Sequence, residues 1–337
     1  MSERAQILVR HGVDLKTFRT QIEPAGVPVV MKGLVADWPA VRAGHESPRA
    51  LADYLRGFDR GRVAKVIEGP PSIRGHLFYR EDMRGLNFVR MQGGISATLD
   101  RLLAIVQDPD PPLIFLESMK TDDFLPDFAA AHRMPLLGDD VRPRIWIGNA
   151  LKVQTHYDLL SNICCVIGGR RRFTLFPPDQ LPNLYMGPID FTPSGTPISL
   201  VSLQDPDLTR FPRFAEALRH AVQAELTPGD ALYIPYGWWH HVESLAPFNA
   251  LVNYWWNTAP NYGSPYGVLM HAALVLRDLP QDQRAVWHGM FEELVFNDPE
   301  QALAHLTPEQ RGLLGPPSPK RAQIVRSILA DTFAKPL

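Results

Sequence analysis

The stretch VIGGRRRFTLF, Val166–Phe176, reads as two apolar strands joined by a glycine pair. Valine, isoleucine and phenylalanine suit a pleated, half-buried surface, and adjacent glycines give the backbone the freedom a sharp connection needs. The same rhythm extends on both sides. Upstream lie RIWIGNALKVQTHYD (144–158) and NICCVIGG (162–169). Downstream, past a loop rich in proline and glycine, lie DALYIPYGWWHHVES (230–244), launched by the turn TPGD, and ALVNYWWN (250–257). Closely spaced strands with turn signals between them predict a jelly roll, a double-stranded β-helix, over residues 141–260. One short helix is expected inside it, within DPDLTRFPRFAEALRHAVQAEL (205–226).

The flanks have a different texture, and the whole chain reads as mainly β with flanking helices. Residues 1–140 form an α+β preface packing on the barrel. There, VPVVMKGL (27–34) and PLIFLES (112–118) read as strands, and TLDRLLAIVQ (98–107) as a helix stopped by prolines. SPRALADYLRGF (47–58) begins with a capping serine and a proline at the first helical position. Residues 261–337 are helical, with apolar residues three and four apart in YGVLMHAALVLRDL (266–279) and DQRAVWHGMFEELVF (282–296). Leu269, Leu274, Trp287, Met290 and Phe291 need cover, from the barrel or from a twofold partner, and a homodimer through these helices is the expectation.

Composition narrows the function classes. With 45% hydrophobic and 21% charged residues the chain is in the globular range, and no apolar run is long enough to span a bilayer. Charges scattered through MSERAQILVRHGVDLKTF leave no secretory segment, so cytoplasmic residence is expected. A net charge of −2 argues against nucleic acid as an obligate partner. Cys164 and Cys165, adjacent on one strand, point to opposite faces and read as reduced packing residues rather than a disulfide.

Chemistry concentrates at His156-Tyr157-Asp158. On a strand, the two-residue spacing aims imidazole and carboxylate at the same face. A third donor is offered by the strand containing His240 and His241, of which one can look inward. Two histidines and a carboxylate make a facial triad, leaving three adjacent positions of an octahedral iron(II) open. A structural zinc site would close its shell instead.

The runs THYDLLSNICCVIGGRRRFTLFPPDQ, TPGDALYIPYGWWHHVESL and VNYWWN resemble the JmjC, or cupin-8-like, 2-oxoglutarate oxygenases. Within that family the pattern is most similar to the asparaginyl hydroxylase that inhibits hypoxia-inducible factor and to its bacterial relatives. The resemblance implies metal ligation by His156, Asp158 and His240, with Fe(II) as the metal and 2-oxoglutarate as cosubstrate. It implies that Arg171, on the strand after the HxD strand, binds the distal carboxylate where the family more often has lysine. Asn162 and Asn253 match pocket-lining asparagines, and Trp255 matches a tryptophan walling the site. Val153 and Phe115 stand where that hydroxylase has hydroxyl donors to the cosubstrate. Pro197 and Ile198 stand where it grips its asparagine.

The implied activity is hydroxylation of a protein or peptide side chain, or of a small molecule. Two other readings stay open: a metal-binding cupin that works without 2-oxoglutarate, and a catalytically silent binding module. Aspartate in the motif counts against the first, since those sites more often carry His-x-His and a glutamate. The remaining histidines (His11, His45, His76, His132, His220, His271, His288 and His305) lack a ligand partner at strand spacing and read as surface or core residues.

Overall fold

The computed structural model describes residues 5–259 and 263–333. The strands are β1 (Ala5–Gln6), β2 (Leu8–His11), β3 (Val29–Lys32), β4 (Val63–Gly69), β5 (His76–Leu77), β6 (Val89–Gly94), β7 (Leu113–Lys120) and β8 (Pro143–Gly148). They continue with β9 (Leu151–Tyr157), β10 (Ser161–Gly168), β11 (Arg171–Phe176), β12 (Val222–Leu226), β13 (Ala231–Ile234), β14 (Trp239–Ser244) and β15 (Asn249–Trp256). One sheet has the order β1-β12-β11-β14-β9-β5, the other β2-β3-β13-β10-β15-β8-β7-β4-β6.

Strands β8, β9, β10 and β11 step alternately between the two sheets, and so do β12, β13, β14 and β15. That winding is the jelly roll. The glycine pair therefore turns a corner from β10 in one sheet to β11 in the other and closes no hairpin. Gly169 sits at φ +74°, and a Cβ there would come 2.5 Å from the Phe248 carbonyl oxygen. Both the left-handed backbone and the close approach favour glycine.

Period-two alternation assigns the two faces of each strand. Between the sheets pack Phe173, Leu175, Leu226, Leu232, Val242 and Leu251. On the far side of the larger sheet, Ile145, Ile147, Ile163 and Val252 meet helices Pro39–Glu46, Pro48–Arg56 and Ile95–Ala104. Each such side chain, fully buried, stabilises the fold by about 1.5–3 kcal/mol. Helix Pro48–Arg56 starts as its sequence demands: the Ser47 hydroxyl accepts the Ala50 N–H at 3.0 Å. Cys164 lies in the inter-sheet core and Cys165 in the outer one, both thiols free and buried.

Two segments differ from the sequence expectation. The inserted helix covers Phe214–His220 only, because Val222–Leu226 continues as β12 and pairs with β11. The preface also supplies β4 and β6, which extend the larger sheet beyond β7.

Two compact units result, one ending at Trp256 and the next starting at Asn257. The second contains helices Pro265–Leu276, Gln281–Phe291 and Pro319–Phe333. Its one buried large apolar side chain among the described residues is Leu303. No described helix is long and apolar enough to cross a membrane.

Candidate metal centre

His156 lies near the end of β9, Asp158 follows its last residue, and His240 is the second residue of β14. These strands are antiparallel neighbours with His156 opposite His240. Between the pairs Val153–Val242 and His156–His240, β9 carries one residue more than β14. That bulge lets Val153 and His156 line the same cavity, which a regular strand would place on opposite faces. The donor atoms of His156, Asp158 and His240 lie within 4.8 Å of one another, and His240 Nε2 is 3.6 Å from Asp158 Oδ2.

Both imidazoles are oriented by backbone. His156 Nδ1 donates to the Gln154 carbonyl at 2.8 Å and His240 Nδ1 to the Trp238 carbonyl at 3.0 Å. Each Nε2 therefore keeps its lone pair for a cation, the outer arrangement usual for metal-bound histidine. Burial, reinforced by the neighbouring His240, lowers the His156 pKa from 6.5 to about 4, so the ring is neutral at physiological pH. His241 faces away, its Nε2 2.9 Å from the Gln204 amide nitrogen.

Asn162, Arg171, Asn253 and Trp255 open into this same cavity, as do Val153 and Phe115. Arg171 begins β11, two strands beyond the HxD strand rather than one, because β10 belongs to the opposite sheet and β11 reaches the cavity beside β14. It is only 2% exposed, and its Nε and Nη2 have no hydrogen-bond partner among the described residues. Burial lowers its pKa from 12.5 to about 10, which still leaves a cation at neutral pH. Arg170 and Arg172 instead face outward, toward Glu225 and Glu243. Trp255 Nε1 donates to Asp158 Oδ2 at 3.1 Å.

Trp146 and Glu117 are among the wall residues that escape sequence reading. Trp146 on β8 stacks on Phe115 with ring centres 5.9 Å apart. Glu117 on β7 is turned into the cavity at a bulge between Leu116 and Met119, where Ser118 takes φ +50°. Its carboxyl pKa is raised by burial, an effect opposed by Arg90 at 3.6 Å. Arg144 props that bulge, donating to the Ser118 carbonyl and hydroxyl at 3.1 Å each, and lies over the Trp255 ring. Neither position is legible without strand register: RIWIGN and LIFLES show alternation but not which face meets the cavity.

The segment after β11 returns to β9 and contributes Pro193, Ser194 and Ile198 to the cavity lining. Ile198 bridges His156, and the Ser199 N–H donates to the Thr155 carbonyl at 2.7 Å. The Tyr79 hydroxyl donates to the Phe191 carbonyl at 2.6 Å, and Arg90 to the Pro193 carbonyl at 2.6 Å.

The two-sheet roll carries two histidines and one aspartate at adjoining strand ends, and the cupin-like domain family matches residues 15–262. The chain belongs to that family, whose JmjC-like members have the fold of the 2-oxoglutarate oxygenases. It is 31% identical over 323 residues to tRNA wybutosine-synthesizing protein 5 of Gallus gallus, covering 84% of this chain and 93% of that one. It is 28% identical over 282 residues to lysine-specific demethylase JMJ31 of Arabidopsis thaliana, covering 73% of this chain and 48% of the relative. With HSPB1-associated protein 1 of Bos taurus it shares 39% over 241 residues, 68% of this chain and 48% of the other. The chain thus spans about half the length of the last two relatives and nearly all of the first.

Proposed function

We propose that this chain is an Fe(II)- and 2-oxoglutarate-dependent oxygenase that hydroxylates a protein or peptide side chain, or a small molecule. The observation that carries the reading is the bare guanidinium edge of Arg171. A buried cation with no partner is costly, and its Nε and Nη2 form a fork that matches one carboxylate bidentately. Arg171 lines the cavity that holds His156, Asp158 and His240. The three ligands would hold iron through two neutral imidazoles and a carboxylate, a set suited to ferrous iron with open positions. Arg171 would take the distal carboxylate of the cosubstrate and compensate for the missing hydroxyls at Val153 and Phe115.

Iron and 2-oxoglutarate, when bound, would supply oxygen activation, with O2 as oxidant, succinate and CO2 as coproducts and one oxygen atom inserted into a substrate C–H bond. The chain's own part is positional. Trp255 and Asn162 orient the Asp158 carboxylate. Phe115, Trp146, Val153, Val242 and Leu251 give the cavity apolar walls that exclude water.

Anaerobic titration of the Fe(II)-loaded protein with 2-oxoglutarate is expected to raise a weak metal-to-ligand charge-transfer band in the visible, lost in Asp158→Ala. Iron binding without that band would overturn the reading in favour of a cupin working without this cosubstrate, or of a binding role. A second substrate reading, a base carried on tRNA, is favoured by the near full-length match to the wybutosine-synthesizing relative. The net charge of −2 weighs against it.

The functional unit in this reading is a homodimer in the cytoplasm. Helix Pro265–Leu276 has no charged residue and no buried one, and Leu274 is 67% exposed. A helix apolar all round is normally buried, and a second copy of the same helix supplies a self-complementary cover. Light scattering should give twice the chain mass for the native protein and a monomer for Leu274→Glu; a monomeric native protein rejects the dimer.

A further inference from the structure

We infer that Trp146 is a positioning residue that sets the direction of a buried hydrogen-bond chain ending on the metal-binding carboxylate. The inference rests on the metal assignment to His156, Asp158 and His240.

Four side chains from four strand regions form the chain. Trp146 Nε1 on β8 donates to Asn253 Oδ1 on β15 at 2.7 Å. Asn253 Nδ2 donates to Asn162 Oδ1 on β10 at 3.2 Å. Asn162 Nδ2 donates to Asp158 Oδ2 at 3.3 Å. Asn162 and Asn253 are 3% and 1% exposed, so water offers them little alternative.

A side-chain amide is ambiguous by itself, because turning it over exchanges donor for acceptor. Here both ends of the chain are unambiguous. An indole nitrogen can only donate, and an ionised carboxylate can only accept. Between them each amide has one arrangement that satisfies every contact, with oxygen toward Trp146 and nitrogen toward Asp158. The Cys164 thiol adds a second donor to Asn162 Oδ1 at 3.4 Å, which reinforces the same polarity. Without the indole N–H, Asn253 can turn over at no cost on the Trp146 side and present its oxygen to Asn162 Oδ1. Asn162 then loses the amide donor that holds its oxygen, and its hold on the carboxylate loosens.

Asp158 Oδ2 thus receives two N–H donors, from Asn162 and directly from Trp255, and its plane is held before any cation arrives. Trp146 and Trp255 also touch, ring centres 5.9 Å apart and nearly perpendicular, which ties the two routes together. Pre-orienting a ligand reduces what ordering costs on binding, and outer partners of this kind typically change metal affinity by about 10–100-fold. The stack of Trp146 on Phe115 makes the same indole a wall of the cosubstrate cavity.

The test is Trp146→Phe, which keeps an aromatic ring at the position but removes the donor together with part of the ring, made in the native and in the Asn162→Leu background so that the packing loss is common to both. Fe(II) affinity is read anaerobically by competition with a chromophoric chelator, and folding by circular dichroism and Tm. Trp146→Phe should weaken Fe(II) binding by about 10-fold in the native background and cause no further loss once Asn162 is leucine. Unchanged affinity in Trp146→Phe would overturn the inference while leaving the metal site intact. An equal loss in both backgrounds would also overturn it, since that is what packing alone would produce. Failure of the native protein to bind Fe(II) would instead reject the metal assignment itself.

Discussion

Asp158→Ala is expected to lose ferrous iron by more than the ~100-fold at the upper end of outer-partner effects, because it removes a ligand rather than a support. What remains is two imidazoles with ring centres 4.3 Å apart, whose Nε2 lone pairs converge without a negative charge to offset the cation. The change also strands two donors: Trp255 Nε1 and Asn162 Nδ2 both end on Asp158 Oδ2. Some loss of stability follows, on the order of 1–3 kcal/mol for each donor left dry. The fold itself should persist, since the jelly-roll core packs between Phe173, Leu226, Leu232 and their neighbours without Asp158. His156→Ala should behave alike. Iron retained at native stoichiometry in either variant, measured by metal analysis after gel filtration, would sink the triad.

Arg171→Met separates binding from stability. Iron content should stay near native, because Arg171 is not among the three ligands. Affinity for 2-oxoglutarate should fall steeply, since removing one partner of a buried charge pair costs about 2–5 kcal/mol, roughly 30- to several thousand-fold. Stability in the absence of cosubstrate should move the other way. A buried guanidinium with two unpartnered nitrogens is replaced by an apolar side chain of similar length, and even fully paired buried charges exchanged for packed apolar residues are neutral or gain about 1–4 kcal/mol. A raised Tm together with lost cosubstrate binding would mark Arg171 as a group kept for function at a cost to the fold. Unaltered cosubstrate binding would mean that another cation holds the carboxylate. A lowered Tm would mean that the arginine stem packs better than its head is strained.

Much of the architecture can be read from local signals. The strands flanking the glycine pair, the capped helix at Ser47 and the turn before β13 are each announced by residues within a few positions. The assignment of Gly168–Gly169 is less direct, because strand length and turn chemistry alone cannot tell a hairpin from a corner between sheets. That distinction depends on pairing: β10 bonds to β13 and β15, and β11 to β12 and β14. For the same reason His156, Asp158 and His240 stand out by residue type and spacing, whereas Trp146 and Glu117 do not. Their aim is decided by register and by the bulge at Ser118. Of the surplus strands, β6 is largely exposed and ends in two glycines, so its composition resembles a loop, whereas residues 63–67 of β4 carry an alternation that could have been read.

Cys164 and Cys165 stand back to back on β10, one in each core, and burial pushes both thiols up and keeps them inert. An alkylating reagent can therefore reach each one only when its own side of the sheet opens. The labelling rate at Cys164 times the breathing of the cavity, and that at Cys165 times the lifting of the helical layer. The strand is a native two-channel clock for local unfolding, with neighbouring residues reporting separate motions of one protein.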